Sequence, residues 1–136
     1  MNQVRWEKKF ETGNELVDSQ HKVFIEKINR CIAASRSNTS RDDLVTLLQD
    51  IQKCLVEHFR DEEEFMTELG VSSNTHLSQH SHISQRLEKQ ISTFKQNDDK
   101  EKLSVQHILF SLYDWYVNHV QVEDSCFYTS PPARTN

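Results

Sequence analysis

No proline occurs in this 136-residue chain before position 131, and its only glycines are Gly13 and Gly70. A chain so poor in turn-makers has few places at which strands could reverse tightly. Long helices with short connections are therefore expected in place of a sheet. The spacing of the apolar residues agrees. Val17, Phe24, Ile25, Ile28 and Ile32 fall at helical intervals, and so do Leu44, Leu47, Leu48, Ile51 and Leu55. Ile83, Leu87, Ile91 and Phe94 continue the pattern, followed by Leu109, Leu112 and Tyr116. Four amphipathic helices are expected. The first has Asp18 as its N-cap, and the second runs from about Arg41 to Glu68 behind a Ser40–Asp43 capping pair and is stopped by Gly70. Ser72 or Ser73 caps the third, and the fourth runs from about Asp99 to Asp124. The connections are short, so consecutive helices should be antiparallel neighbours. The expected fold class is all-α, an up-down-up-down four-helix bundle. An N-terminal arm precedes it, with Trp6 and Phe10 over a bundle end.

Residues 1–128 read as one domain, and "TSPPARTN" at 129–136 as a polar tail or the start of an interdomain linker. The net charge of −5, without a basic stripe, argues against nucleic acid as a partner. No apolar run is long enough for membrane insertion, and "MNQVRWEKKF" lacks the apolar core of a signal peptide. Cys31, Cys54 and Cys126 form no C-x-x-C and are odd in number, which fits reduced thiols in a cytoplasmic protein.

The unusual feature is seven histidines. His58 and Glu62 occupy positions in the apolar rhythm of the second helix where leucine or isoleucine would be expected, although both are costly to desolvate. In an antiparallel bundle, His21 near a helix start, His58 and Glu62 near an end, His76 and His80 near a start, and His119 with Asp124 near an end share one level. At about 1.5 Å of rise per residue they fall within two or three turns of each other. Residues at i and i+4 project to one side, which suits His58 with Glu62 and His76 with His80. His119 and Asp124 are five apart, so a local irregularity such as a π-type bulge is expected between them. Any one of these histidines alone would be an ordinary hydrogen-bonded core residue. Five imidazoles and two carboxylates together exceed one tetrahedral zinc and suit two bridged metals, with iron or manganese favoured by carboxylates beside histidine. E-x-x-H and H-E-x-x-H are both absent, which argues against ferritin-like di-iron enzymes and zinc proteases. His82 and His107 fall off the shared face. Asp61, Glu63 and Glu64 read as a solvated acidic edge, a bond to an imidazole being the exception.

The segments "VDSQHKVF" (17–24), "HFRDEEEFM" (58–66), "HLSQH" (76–80) and "DWYVNHVQVED" (114–124), with Trp6 ahead of them, resemble the hemerythrins, the bacterial members in particular, in the family's order. The resemblance spans residues 6 to about 128. It implies two iron ions (Fe2+/Fe3+) joined by an oxo or hydroxo bridge. His76, His80 and His119 would hold one and His21 and His58 the other, with Glu62 and Asp124 bridging both. It further implies reversible dioxygen binding at the iron with fewer ligands. Phe59, Trp115, Tyr116 and Val120 flank ligands and are the expected wall of an apolar dioxygen pocket. Bacterial relatives usually carry leucine where this chain has Tyr116; a phenol there could hydrogen-bond a ligand or admit water. The expected role is an oxygen- or redox-sensing input to a C-terminal signalling domain, such as a diguanylate cyclase or chemotaxis receptor, without enzymatic activity of its own. A stand-alone carrier or store is the alternative, and a peroxide or nitric oxide reductase a more remote one.

Overall fold

The computed structural model describes residues 3–70, 74–96 and 104–119. A short 3-10 turn, Lys8–Phe10, precedes four helices: α1 (Glu15–Ser35), α2 (Arg41–Leu69), α3 (Asn74–Lys95) and α4 (Val105–Asn118). α1 packs on α2 and α4, and α3 packs on α2 and α4, which is the ring order of an up-down-up-down bundle. Side-chain bonds fix the directions. Lys27 of α1 meets Asp50 of α2 at 2.7 Å, and Arg41 at the start of α2 donates to the Phe94 carbonyl at the end of α3 at 2.9 Å.

The expected caps of α2 are present. Ser40 Oγ accepts from the Asp43 N–H at 3.1 Å, and Gly70, at φ 69°, takes the left-handed conformation that closes the helix. Two starts differ from expectation. α1 begins earlier, behind Asn14, whose side chain accepts from the Val17 N–H at 3.2 Å. Asp18 turns backward instead and accepts from both the N–H and the hydroxyl of Thr12 at 2.8 Å each. Asn14 and Asp18 are equally good caps locally; the bond to Thr12 commits Asp18 elsewhere. α4 begins at Val105 rather than near Asp99, with Ser104 accepting from the His107 N–H. The Ser72/Ser73 cap of the third helix, Cys126 and the 129–136 tail lie outside the described residues.

The arm does not cover a bundle end. It lies lengthwise along α1, fixed at Val4 by reciprocal bonds with the Asn29 amide (2.6 and 2.7 Å) and at Thr12 by Asp18. Between these ties Phe10 is fully buried and Trp6 lies 5.7 Å from it, centroid to centroid. No described helix is long and apolar enough to cross a membrane.

Candidate metal centre

Antiparallel packing brings the histidines to one end of the bundle. His21 lies in the second turn of α1, and His58 and Glu62 lie in the second half of α2. His76 and His80 occupy the first two turns of α3, and His119 follows directly on α4. His119 still has helical backbone, its N–H bonding to the Trp115 and Tyr116 carbonyls, and the irregularity expected between His119 and Asp124 lies outside the described residues. Asp124 and Val120 lie outside the described residues. All the other candidates come together: His21, Glu62, His76, His80 and His119 are buried, and the His58 side chain is 11% exposed.

Glu62 is the hub. Its Oε1 lies 2.5 Å from His76 Nε2, 3.2 Å from His80 Nε2 and 3.7 Å from His119 Nε2. Its Oε2 lies 3.2 Å from His58 Nε2, which is in turn 3.3 Å from His21 Nε2. One oxygen thus faces three imidazoles, and the other faces His58, with His21 behind it. Burial by itself would push the Glu62 carboxyl up, but the imidazoles of His119, His58, His76 and His80 outweigh it and hold the group well below the usual carboxylate range.

Hydrogen bonds on the outer side set which ring nitrogens face inward. Asp61 Oδ2 is bonded to the Gln20 amide nitrogen at 3.1 Å. A carboxylate accepts and does not donate, so the NH2 of Gln20 must face it and Gln20 Oε1 must face His58. His58 Nδ1–H therefore donates to Gln20 at 2.7 Å, and Nε2 is left as a lone pair aimed at Glu62 and His21. In the same way His80 Nδ1–H donates to Glu63 Oε1 at 3.2 Å, which leaves Nε2 facing Glu62. His76 Nε2 is hydrogen-bonded to Glu62 Oε1, but wherever the His58 and His80 rings are neutral their inward side sets acceptor against acceptor. His80 Nε2 and Glu62 Oε2 are buried without a hydrogen bond, a costly state unless a cation supplies what protein donors do not. The separations suit one. Two ligands each about 2.1 Å from a shared ion at right angles lie about 3 Å apart. The donor atoms of Glu62, His76, His80 and His119 all lie within 4.8 Å of one another. The donor set fits a metal.

Aromatic rings hold the imidazoles in place. Phe59 stacks on His80 with centroids 3.9 Å apart and planes 7° apart, and Trp115 stacks on His119 at 4.6 Å and 14°. Tyr116 meets His21 edge-on at 5.6 Å, and Trp6 of the arm lies 6.3 Å from the same ring. Phe59, Trp115 and Tyr116 also line a buried apolar cavity beside His21, His58 and His119. It gives the centre of a water-sized molecule about 10 Å³, room for one small molecule.

His82, His107, Asp61 and Glu64 are exposed, as their helical phase requires. Glu63 is the exception on that acidic edge, through its bond to His80. Sequence reasoning gave no role to Gln20, nor to Phe24, Leu55 and Cys54, which complete the cavity wall. The signal for Gln20 was weak: an amide beside His21, opposite an acid one turn beyond His58.

Residues 12–129 match the family model described as the hemerythrin HHE cation binding domain. A bacteriohemerythrin of Campylobacter jejuni subsp. jejuni serotype O:23/36 (strain 81-176) is 24% identical over 120 residues, covering 88% of each chain. Two solved mutant structures share the fold, each with a TM-score of 0.84 over 95% of this chain and 97% of the other. One carries phenylalanine in place of a leucine and is 22% identical. The other is a hemerythrin with tyrosine in place of a leucine, and is 23% identical.

Proposed function

Because the chain belongs to the hemerythrin family, we propose that its histidine–carboxylate cluster holds two irons and binds dioxygen, and that it serves as an oxygen- and redox-sensing input domain. In this reading His76, His80 and His119 hold one ion and His21 and His58 the other. Glu62 bridges them, Asp124 is the second bridging carboxylate, and an oxo or hydroxo group completes the pair. The observation that carries the reading is the division of Glu62, one oxygen of which faces His76, His80 and His119 and the other His58, which stands beside His21. Bound iron would supply reversible electron transfer to dioxygen.

The chain's own residues do the rest. The outward bonds of His58 to Gln20 and of His80 to Glu63 keep their Nε2 atoms directed inward. The ion with fewer protein ligands keeps an open position, and the cavity borders both histidines assigned to it. Its apolar wall keeps bulk water from a reactive ligand.

Tyr116 supports sensing over carriage. It is 3% exposed and stands in the cavity wall against His21. A phenol within reach of a bound ligand offers a proton donor, which shortens the life of an oxygenated state. His119 stands at the C-terminal end of the described part of α4, and in this reading a change of ligation at His119 and Asp124 would be felt by the chain that follows, where a signalling partner would read it.

Metal analysis with anaerobic optical titration of the reduced protein tests the proposal. About two irons per chain and a visible band that rises with dioxygen and bleaches promptly are expected. A band persisting for hours would favour a carrier or store. One zinc per chain, or no metal, would overturn the di-iron reading.

A further inference from the structure

On the outside of the bundle, between α1 and α2, lies a groove of about 250 Å³. Three of its residues, Gln20, Cys54 and His58, also line the buried cavity. The two spaces are therefore separated by a wall one side chain thick. We propose that this groove is the route by which a small neutral molecule reaches the cavity, with Gln20 and Cys54 as the gate. The proposal rests on the cavity being the ligand pocket of the proposed function, and it names the passage to it.

The wall differs from the α2–α3 side of the cavity. The groove between α2 and α3, about 220 Å³, shares only Phe59 with the cavity. That ring is stacked flat on His80 at 3.9 Å and is 4% exposed, so opening there would break a buried contact. A larger groove, beside Arg41 and Phe94, shares no residue with the cavity and lies at the opposite end of the bundle. On the α1–α2 side the barrier is a thiol and an amide. The amide's outer tie, Gln20 to Asp61, is exposed, so water competes for both partners and the net strength of the bond is small. Side chains in such positions change rotamer in picoseconds to nanoseconds without movement of a helix. An outward swing of Gln20 breaks this tie together with its 2.7 Å bond to His58, whose ring keeps its contact with Phe59. Leu16 and Val23, 67% and 43% exposed, give the mouth of the groove an apolar flank that favours an uncharged visitor. Cys54 suits the position as a small, half-buried side chain. Burial raises its thiol, with Lys27 opposing and Asp50 and Glu57 adding to the rise, so it stays neutral beside the passage.

Xenon is the probe, because it is neutral, small and indifferent to iron. Exchange of xenon between solvent and the cavity is measured by xenon-129 NMR on the full chain as purified. Ser19 lines the groove but not the cavity and is exposed, so Ser19→Trp plugs the mouth without touching the pocket. It is expected to slow xenon arrival and departure together by about tenfold, the effect of roughly 1.4 kcal/mol of added barrier, with unchanged affinity. Val23→Trp plugs the same mouth from the other flank and should behave alike, while Cys54→Ala should speed exchange. Ser81→Trp, in the α2–α3 groove, should leave the rates unchanged. Unaltered rates in both plugged variants, or slowing by Ser81→Trp alone, would overturn the proposal, as would xenon that never enters the cavity. Failure of the di-iron reading is seen separately in the metal content. A chain without iron whose xenon exchange is slowed by Ser19→Trp keeps the passage and loses the function.

Discussion

At one end of the bundle Ile28, Ile32, Leu48, Ile108 and Leu109 are sealed completely from solvent; at the other, the same depth is held by His21, Glu62, His80 and His119, each at most 3% exposed. The two ends are equally closed and closed by different physics. Each aliphatic side chain contributes about 1.5–3 kcal/mol by leaving water and requires nothing beyond a close fit. The histidine end gains from its aromatic stacking, but His80 Nε2 and Glu62 Oε2 are buried without a hydrogen bond and demand a partner that the protein alone does not supply. One half of the molecule is thus complete as folded chain, while the other is complete only with its metal. That end was built for binding at the expense of the stability an apolar core would give.

The sharpest way to break this comparison is to remove the hub. Glu62→Gln keeps the size of the side chain and discards the charge that faces four imidazoles, so nearly all bound metal should be lost, as read by elemental analysis. Chelation of the wild type should lower its Tm by roughly 10 °C or more, as expected when a tightly bound stabilising ligand is withdrawn. Chelator should leave the Tm of Glu62→Gln unchanged. Metal retained at full stoichiometry in that variant would refute the role of Glu62.

At the opposite end, Leu48→Ala should cost about 2–5 kcal/mol in denaturant unfolding. The cost should be the same with and without metal, because Leu48 stands ten residues before His58 on α2, about 15 Å away along the helix. A cost that depends on metal would mean that the two ends are coupled. Between these extremes stand the residues that orient ligands. Gln20→Leu and Glu63→Gln should each weaken metal binding by about 10–100-fold in chelator competition, with little change in metal-free stability.

The smallest effect concerns acid. Glu62 is held below the ordinary carboxylate value of 4.5 in the folded chain. Its stabilising contribution is therefore present above that value and is lost as pH falls through the lower folded value. In metal-free protein the Tm difference between wild type and Glu62→Gln should shrink as pH is lowered below 4.5. A difference that grows with acidity would contradict the sign.

Helix identity was legible in the chain because it depends on local spacing. Ile83, Leu87, Ile91 and Phe94 could form one face only of a helix, and Ser40 and Gly70 mark the bounds of α2 by chemistry that acts within four residues. Six of the seven expected ligand positions came together for a related reason: antiparallel order follows from short connections, and order alone brings these positions to one level. Asp124, the seventh, lies outside the described residues. The choice between Asn14 and Asp18 as the cap of α1 was not legible, because either is competent and the bond to Thr12 decides. Nor was the course of the arm, which depends on Asn29 meeting Val4 across twenty-five residues.

What the sequence by itself determined is the set of donors and the end of the bundle at which they gather, since composition and helical period are properties of the chain alone. What only the tertiary structure decided is which nitrogen of His58 and of His80 faces inward, how Glu62 divides its oxygens, and where the cavity meets the surface. Those depend on separations of 2.5 to 3.7 Å between side chains on different helices. Residue spacing along a chain carries no information at that scale until the helices have packed.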